Sequence, residues 1–272
     1  MSKLVDFLDH VARFLRVLIV VVILLLMWIF CVQTLHGQEV PLVRVQHDAF
    51  ISYYDLQTHN PALVVYPLEY RHFSGSYKVS GRHFKADTKL PRPRVMDGDY
   101  SKSGYVRGHL CSAGDRDSDK SWLKETYLTS NLVPMTMVCN SGQWKMIEDS
   151  CRALAKAGHR LLVGRGPLYK DIGDSSRNVI RARVCITIPD GLFCVAKCRD
   201  CDLRYFDWCP NDGTNLLQEV IQVGSGEGSN VLQNGSGCLC NTHPFVMDNR
   251  VNVLLQKIFG LWFREVLETI TR

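Results

Sequence analysis

The sequence predicts an α+β protein, because runs typical of strands and stretches of helical periodicity both occur along its 272 residues. Residues 62–67 (ALVVYP) are apolar and β-branched, which is typical of a buried strand. Residues 140–158 place bulky or apolar side chains at the spacing of one buried helical face. A third feature is the uncharged run at residues 17–32. We therefore expect a domain of strands and helices that follows an apolar N-terminal segment.

The apolar N-terminal segment predicts one transmembrane helix. It reads VLIVVVILLLMWIFCV, and with its flanking residues it extends over residues 17–35, enough to cross a bilayer. Three basic residues precede it, whereas the first basic residue after it is Arg44. By the positive-inside rule, residues 1–16 form a cytoplasmic tail and all later residues are translocated. Because no good small-residue cleavage site follows, an uncleaved signal anchor is favoured over a cleaved, secreted form.

The remaining residues predict a stalk, a main domain and a C-terminal helix. We expect residues 36–60 to form the stalk and residues 61–223 the domain. Residues 224–272 predict a Gly/Ser-rich linker and an amphipathic helix, residues 248–269, that packs on the domain. A hairpin turn is expected at residues 189–191 (PDG). Further strands are predicted at residues 77–84, 160–164, 179–188 and 192–197. Residues 126–133 predict a short strand or a turn.

Cysteine usage predicts disulfides. Eleven cysteines are present, and one of them, Cys31, lies in the apolar segment. The other ten are an even number and are dense toward the C-terminal half, which is typical of disulfides in an oxidising compartment. A zinc site built from the pairs Cys198-x-x-Cys201 and Cys238-x-Cys240 is the alternative.

Residues 105–114 (YVRGHLCSAG) place Arg107, Gly108 and His109 side by side. A guanidinium group suits a phosphate, and glycine lets the backbone approach another group closely. Histidine is the side chain whose ordinary pKa lies nearest neutrality, so it suits proton transfer. The tripeptide alone is a weak motif, and its interpretation depends on the other parts of a site.

A second group of polar residues recurs every four positions at Asn140, Trp144, Glu148 and Arg152. On one helix, each step of four advances only about 40° beyond a full turn, so these side chains would form one slanting row. The simpler interpretation is a surface ion pair between Glu148 and Arg152, worth about 0.2–0.5 kcal/mol. The motif at residues 105–114 favours a shared site instead.

Together, the two groups fit phosphodiester hydrolysis. His109 can act as the general base for water, and Arg107 and Arg152 can bind phosphate oxygens. Asn140 offers a neutral carbonyl oxygen, a hard ligand that suits Mg²⁺. Glu148 can hold a metal-bound water.

Four motifs occur in order: residues 105–110 (YVRGHL), residues 130–134 (SNLVP), the row from Asn140 to Arg152, and residues 164–168 (GRGPL). They resemble the DNA/RNA non-specific endonuclease family, of the Serratia nuclease and mitochondrial endonuclease G type. The resemblance covers roughly residues 64–197. It implies a ββα-metal fold, set in a mainly antiparallel sheet flanked by helices, and a single Mg²⁺ ion for which Mn²⁺ can substitute.

The resemblance also implies roles for individual residues. His109 would be the general base, and Asn140 would bind the metal ion. One departure is Val106, which stands where the family usually has an aspartate, and this predicts weaker metal binding. The other implied catalytic, phosphate-binding or supporting residues are Arg107, Glu148, Arg152, Arg82 and Asn131.

We therefore expect a Mg²⁺-dependent endonuclease that hydrolyses DNA and RNA without base specificity, since contacts to the phosphate backbone carry no sequence information. The net charge of +5 is compatible with a polyanionic partner but is too small to identify one. Two alternatives stay open: a degenerate nuclease that binds nucleic acid without cutting it, and a membrane-tethered, Cys-rich interaction protein. The family resemblance also makes a homodimer an expectation.

The expected topology places the catalytic domain in the secretory lumen or outside the cell. Asn234 begins an Asn-Gly-Ser glycosylation sequence, which would be used only on that route in a eukaryote. The mitochondrial intermembrane space is the alternative. Asp6 and Asp9 count against a transit peptide, because such peptides are poor in acidic residues.

Overall fold

A computed structural model describes most of the residues that follow the apolar segment. The protein divides into two compact units, Met1–Val40 and Pro41–Arg272. Among the described residues, no helix is long and apolar enough to cross a membrane. The described residues are 42–79, 84–170, 178–213 and 249–259, together with 18, 19, 21–23 and 25.

Several predictions concern residues outside this set. Most of the predicted transmembrane segment lies outside the described residues, as does the Gly/Ser-rich run. Also outside this set are Arg82, Asn234, Cys238 and Cys240, as well as Asp6, Asp9 and Cys31.

The described part of the second unit contains ten strands in three sheets. The strands are β1 (Val43–Gln46), β2 (Ile51–Asp55), β3 (Asn60–Leu68), β4 (Val106–His109), β5 (Leu132–Met135), β6 (Leu161–Leu168), β7 (Val179–Arg181), β8 (Cys185–Thr187), β9 (Gly191–Cys198) and β10 (Arg204–Pro210). The α-helices of this unit are α1 (Lys120–Glu125), α2 (Met137–Ser141), α3 (Gln143–Lys156) and α4 (Asn249–Phe259).

The main sheet has six strands in the order β1-β2-β3-β6-β9-β10, and every neighbouring pair is antiparallel. Successive side chains of a strand point to opposite faces, which β3 illustrates. Val64 and Tyr66 pack in the core cluster that contains α3, whereas Leu63 and Val65 pack in the cluster that contains α4. The sheet is therefore covered by a helix on each face. This confirms the prediction of an α+β fold with an antiparallel sheet flanked by helices.

A smaller sheet carries the sequence motifs. β4 pairs with β5 in an antiparallel ladder that runs from Val106 opposite Met135 to His109 opposite Leu132. α2 begins two residues after β5, and α3 follows directly after Gly142. We call β4, β5, α2 and α3 the ββα unit.

The described part of the predicted stalk belongs to the main sheet. β1 and β2 pair with each other, and β2 pairs with β3. Val45 and Tyr54, one on each strand, are buried with Leu90 in a small core of their own. The strands are only 4 and 5 residues long, and about every second residue is polar, so their sequence pattern is weak.

The hairpin predicted at residues 189–191 is wrong. β7 and β8 both lie within the single strand predicted at residues 179–188, and they pair with each other. β9 pairs instead with β6 and β10. Residues 192–196 of β9 are fully buried, which suits the interior of the sheet rather than a two-stranded hairpin.

One predicted strand is not found among the described residues, and one observed strand is not predicted by the sequence. Residues 77–79 and 84, the described part of the strand predicted at residues 77–84, form no strand. β10 is an additional strand that no pattern in the sequence indicates, because its sequence, RYFDWCP, mixes charged, aromatic and proline residues.

The described cysteines do not form the expected disulfides. All eight are free thiols, and six of them are buried. Two buried pairs nevertheless lie close together: the sulfur atoms of Cys139 and Cys209 are 3.5 Å apart, and those of Cys151 and Cys194 are 3.7 Å apart. Packing in the core thus brings these cysteines together as thiols.

Candidate active site

His109 lies at the end of β4 among aromatic rings. Its ring centroid is 5.7 Å from that of Phe84 and 5.0 Å from that of Tyr127, which it meets edge-on. The Nε2 atom is buried and has no hydrogen-bond partner among the residues that the structure describes. Burial lowers the pKa of His109 to about 4. The imidazole is therefore neutral near pH 7, as a general base must be.

The backbone of His109 is held from two sides. A Cβ atom at Gly108 would lie 2.1 Å from the sulfur atom of Met135 on the paired strand, so a larger residue here would require the Met135 side chain to move. On the other side, the indole N–H of Trp144 donates a hydrogen bond of 3.0 Å to the carbonyl oxygen of His109. The first turn of α3 is thereby tied to the strand that carries the imidazole. Val106 contributes packing instead of charge, since it lies against the main core.

Asn140 lies on α2, which packs against β4. Thr136 caps this helix, because its side-chain oxygen accepts a hydrogen bond of 3.2 Å from the N–H of Cys139. The half-buried carboxamide of Asn140 makes no hydrogen bond to any described residue. No described residue therefore competes with a ligand for its oxygen. The two residues predicted as base and metal ligand thus lie on packed elements of the ββα unit, His109 on β4 and Asn140 on α2.

The predicted row of Asn140, Trp144, Glu148 and Arg152 is divided between two helices. The break is at Gly142, whose φ of −102° and ψ of −109° are not helical. A Cβ atom there would lie 2.6 Å from the carbonyl oxygen of Val138, which explains the glycine. Asn140 therefore does not continue the row that the other three residues form on α3.

Glu148 is only partly buried, with 12% of its side chain exposed. Its Oε2 accepts a hydrogen bond of 3.0 Å from the Ser112 hydroxyl. Arg152 and Arg165 lie 3.7 and 3.9 Å from its two oxygens. Burial raises the pKa of Glu148 to about 7; Arg165 opposes that increase and Asp115 adds to it. The carboxyl group therefore titrates near neutrality, unlike an ordinary glutamate.

Asp115 is a buried carboxylate that no sequence motif identified. It accepts hydrogen bonds from the Tyr66 hydroxyl (2.7 Å), from Arg152 Nη1 (2.7 Å) and from Arg165 Nη1 (3.3 Å). Arg152 also binds Asp149, at 2.7 Å. Two carboxylates thus hold the guanidinium that was predicted to bind phosphate. We call Asp115, Glu148, Arg152 and Arg165 the charge network.

Arg165 lies in a strand that is longer than the one predicted at residues 160–164. Residues 164–166 (GRG) lie inside β6, and Arg165 is 0% exposed. Its guanidinium carbon lies 5.6 Å from the Tyr66 ring centroid and 5.5 Å from that of Trp144, while its Nη2 has no hydrogen-bond partner among the described residues. A charged residue inside an apolar strand is the pattern that points to this network in the sequence.

Arg107 and Asn131 also lie beside this unit. Arg107 donates a hydrogen bond of 2.6 Å to the carbonyl oxygen of Asp97, and its guanidinium lies over the rings of Phe84 and Tyr100 at 5.2 and 5.4 Å. The fully buried Asn131 side chain binds the backbone N–H and carbonyl of Cys111, at 2.7 and 2.8 Å. Asn131 therefore positions the segment that follows His109.

The geometry defines a class of protein: a ββα unit, set against an antiparallel sheet, in which an imidazole nitrogen and a carboxamide have no hydrogen-bond partner among the described residues. Residues 36–219, more than half of the sequence, match the family described as DNA/RNA non-specific endonuclease. The chain belongs to that family, whose members are nucleases and hence hydrolases. Members of this family act on DNA or RNA and typically use a divalent metal ion. A neutral carboxamide oxygen fits Mg²⁺, which binds oxygen ligands and retains several waters.

Three relatives show how far the similarity extends. The mitochondrial nuclease EXOG of Danio rerio is 30% identical over 146 residues, which are 52% of this chain and 43% of the relative. The mitochondrial nuclease of Saccharomyces cerevisiae is 31% identical over 150 residues, or 54% and 46% of the two proteins. A nuclease of Nostoc is 37% identical over 87 residues, or 31% and 32%. The chain thus spans less than half the length of each relative.

A solved structure shares the fold. One polypeptide of the EndoG/EndoGI complex superposes with a TM-score of 0.54 and 24% sequence identity. The match covers 62% of this protein and 74% of that polypeptide. At this level of identity the likeness concerns the fold alone.

Proposed function

We propose that the protein is a Mg²⁺-dependent endonuclease that hydrolyses the phosphodiester bonds of DNA and RNA, with His109 as general base and Asn140 as metal ligand. One observation carries the proposal. In a single ββα unit, a buried imidazole nitrogen and a half-buried carboxamide both lack partners among the described residues. A base and a ligand need free lone pairs, whereas structural polar groups are normally bonded.

In this mechanism, His109 removes a proton from the attacking water through Nε2. The Trp144 hydrogen bond and the close approach at Gly108 keep the ring in place during that transfer. When bound, the metal ion supplies positive charge that stabilises the phosphate and the departing 3′ oxygen. Glu148, in its ionised form, orients water. The arginines of the charge network hold Glu148 in position.

The discriminating experiment uses the full-length protein in detergent, with plasmid DNA and single-stranded RNA, in Mg²⁺ or in a chelator. We expect cleavage of both substrates, loss of cleavage in the chelator, and loss in the variants His109→Ala and Asn140→Ala. His59→Asn and Asn178→Ala are matched controls, since neither residue belongs to the ββα unit and asparagine tolerates the positive φ of 54° at position 59. Metal-independent cleavage, or an active His109→Ala variant, would contradict the mechanism.

Val106 supports a second candidate, a nuclease-like protein that binds nucleic acid without cutting it. The missing aspartate removes one carboxylate from the first motif. In this case, filter binding would detect an association that weakens steeply with salt, while no cleavage product forms at any Mg²⁺ concentration. A tethered interaction protein would neither cut nor bind nucleic acid.

We also propose a compartment and an assembly. Residues 17–35 would anchor the protein. The names of the zebrafish and yeast relatives describe them as mitochondrial, which fits the alternative of the mitochondrial intermembrane space that the sequence left open. Protease protection in purified mitochondria would support that location. A glycosidase-sensitive mass shift that Asn234→Gln abolishes would support the secretory route instead. Sedimentation equilibrium of the detergent-solubilised protein tests the homodimer.

A further inference from the structure

A second group of potential metal ligands lies outside the ββα unit's strands. His159 follows α3, Cys198 is the last residue of β9, and Cys201 lies in the turn between β9 and β10. One ligand atom from each residue, a ring nitrogen or a sulfur, lies within 4.8 Å of the other two. In the sequence, His159 showed no partner pattern, because 39 or more residues separate it from either cysteine.

The separations fit one tetrahedral ion. Zinc binds sulfur at about 2.3 Å and imidazole nitrogen at about 2.0–2.1 Å, so two such ligands at a tetrahedral angle lie about 3.5 Å apart. The distance between Cys201 Sγ and His159 Nδ1 is 3.6 Å. Cys201 and His159 therefore already have the separation of two ligands of one ion, and a ligand atom of Cys198 lies within 4.8 Å of both.

The backbone around the three residues is already held together without an ion. The N–H of Arg199 donates a hydrogen bond of 2.8 Å to the carbonyl oxygen of Arg160, and the N–H of Cys198 donates one of 2.9 Å to that of Leu203. The ion pair of Arg160 with Asp200 joins the same two segments. Binding would therefore require little ordering of the backbone, which favours affinity.

The turn also stabilises a thiolate. Burial of Cys198 opposes ionisation, but hydrogen bonds from the Cys201 thiol, from backbone N–H groups of the turn and from His159 outweigh it and lower the pKa of Cys198 to about 7. The same contact with Cys198 raises the pKa of Cys201. A thiolate is the form of cysteine that binds a metal ion.

We infer that His159, Cys198 and Cys201 bind a Zn²⁺ ion, with the fourth position open to solvent on the side of the exposed Cys201. Sulfur and imidazole ligands select zinc, whereas the carboxamide oxygen of the ββα unit selects Mg²⁺, so the two sites do not compete. The ion would join the end of α3, the helix that carries Glu148 and Arg152, to the turn between β9 and β10. This site uses the first of the two cysteine pairs in the zinc site that the sequence offers as an alternative, and it adds His159 as a ligand.

The test is the zinc content of the full-length protein in detergent. The protein is reduced, stripped with a chelator, incubated with Zn²⁺ in excess Mg²⁺, and separated from free metal before elemental analysis. We expect about one zinc ion per polypeptide and at least a tenfold loss of bound zinc in Cys201→Ser and in His159→Ala. The matched control is Cys185→Ser, since Cys185 is also an exposed free thiol but lies outside the group.

Cobalt provides a second measurement. Co²⁺ in the same site should give a thiolate-to-cobalt charge-transfer band in the wild type and in Cys185→Ser, and the band should disappear in Cys201→Ser. Because Cys201 is exposed, its serine variant is expected to fold, and circular dichroism checks this. Absence of bound zinc in the reduced wild type would overturn the inference and assign the pair to thiol–disulfide chemistry. Full zinc content in Cys201→Ser, or its loss in Cys185→Ser, would overturn it equally.

Discussion

Two groups of residues differ in how their polar atoms are bonded: His109 and Asn140, which we call the free pair, and the charge network. His109 Nε2 and the Asn140 carboxamide have no partner among the described residues. Asp115, by contrast, binds a tyrosine and two arginines. A buried polar group without a partner lowers stability by about 1–3 kcal/mol, so such groups persist where function uses them. The bonded atoms of the network hold the site in place, although Arg165 Nη2 has no partner among the described residues, and the unpartnered atoms of His109 and Asn140 are the ones that we propose to react.

The largest expected effect is on the free pair. His109→Phe removes the base and should slow cleavage by about 10²–10⁴-fold. The free energy of unfolding should not fall, because the new ring fills the space between Phe84 and Tyr127 and a buried unpartnered nitrogen is lost. Single-turnover cleavage and urea unfolding measure the two quantities. A loss of stability above about 1 kcal/mol would make this imidazole a structural group and remove the contrast with the network.

Next in size is the effect of opening the network. Asp115→Ala leaves the buried guanidinium of Arg165 without its closest carboxylate and should lower the free energy of unfolding by about 3–5 kcal/mol. Asp149→Ala is the matched control, because Asp149 also binds Arg152 at 2.7 Å but is exposed, and it should cost less than about 1 kcal/mol. Urea unfolding measures both losses. Equal losses in the two variants would show that burial does not determine how much an ion pair of the network contributes to the free energy of unfolding.

A smaller effect is expected from the break between α2 and α3. Gly142→Ala forces a Cβ atom against the Val138 carbonyl and should displace Asn140, which raises the Mg²⁺ concentration for half-maximal cleavage by about tenfold or more. Gly98→Ala is the control, since a Cβ atom there meets nothing within 4 Å. A Mg²⁺ titration of the cleavage rate compares the two. If both variants match the wild type, the break does not position the metal ligand.

The smallest effect is a shift in pH dependence. As the pH falls, Glu148 gains a proton near its pKa of about 7, whereas His109 stays neutral until about 4. We expect kcat/KM to fall below neutrality in the wild type, and Glu148→Gln to move this decline toward pH 4 at a lower plateau. Because a bound cation favours the ionised carboxyl group, added Mg²⁺ should shift the wild-type decline to lower pH. An unchanged profile in Glu148→Gln would exclude Glu148 as the titrating group.

The sequence alone identified the features that depend only on residues close together along the chain. The apolar strand at residues 62–67, the helical face within residues 140–158 and the Arg-Gly-His motif are local patterns, and family membership follows from their order. His109 and Asn140 were identified in the same way, since their residue types state their chemistry. The structure confirms the fold that these local patterns predict. The catalytic roles of His109 and Asn140 stay predictions.

Only the tertiary structure decided which distant groups meet. Asp115 reaches Tyr66 and Arg165 across 49 and 50 residues, and His159 reaches Cys201 across 42. The sequence likewise predicted one helix where Gly142 separates two, and a stalk where β1 and β2 join the sheet. Periodicity reports which face of an element is apolar, but not which element covers that face. Long-range packing sets those contacts, and with them the burial that moves the pKa values of His109 and Glu148 in opposite directions.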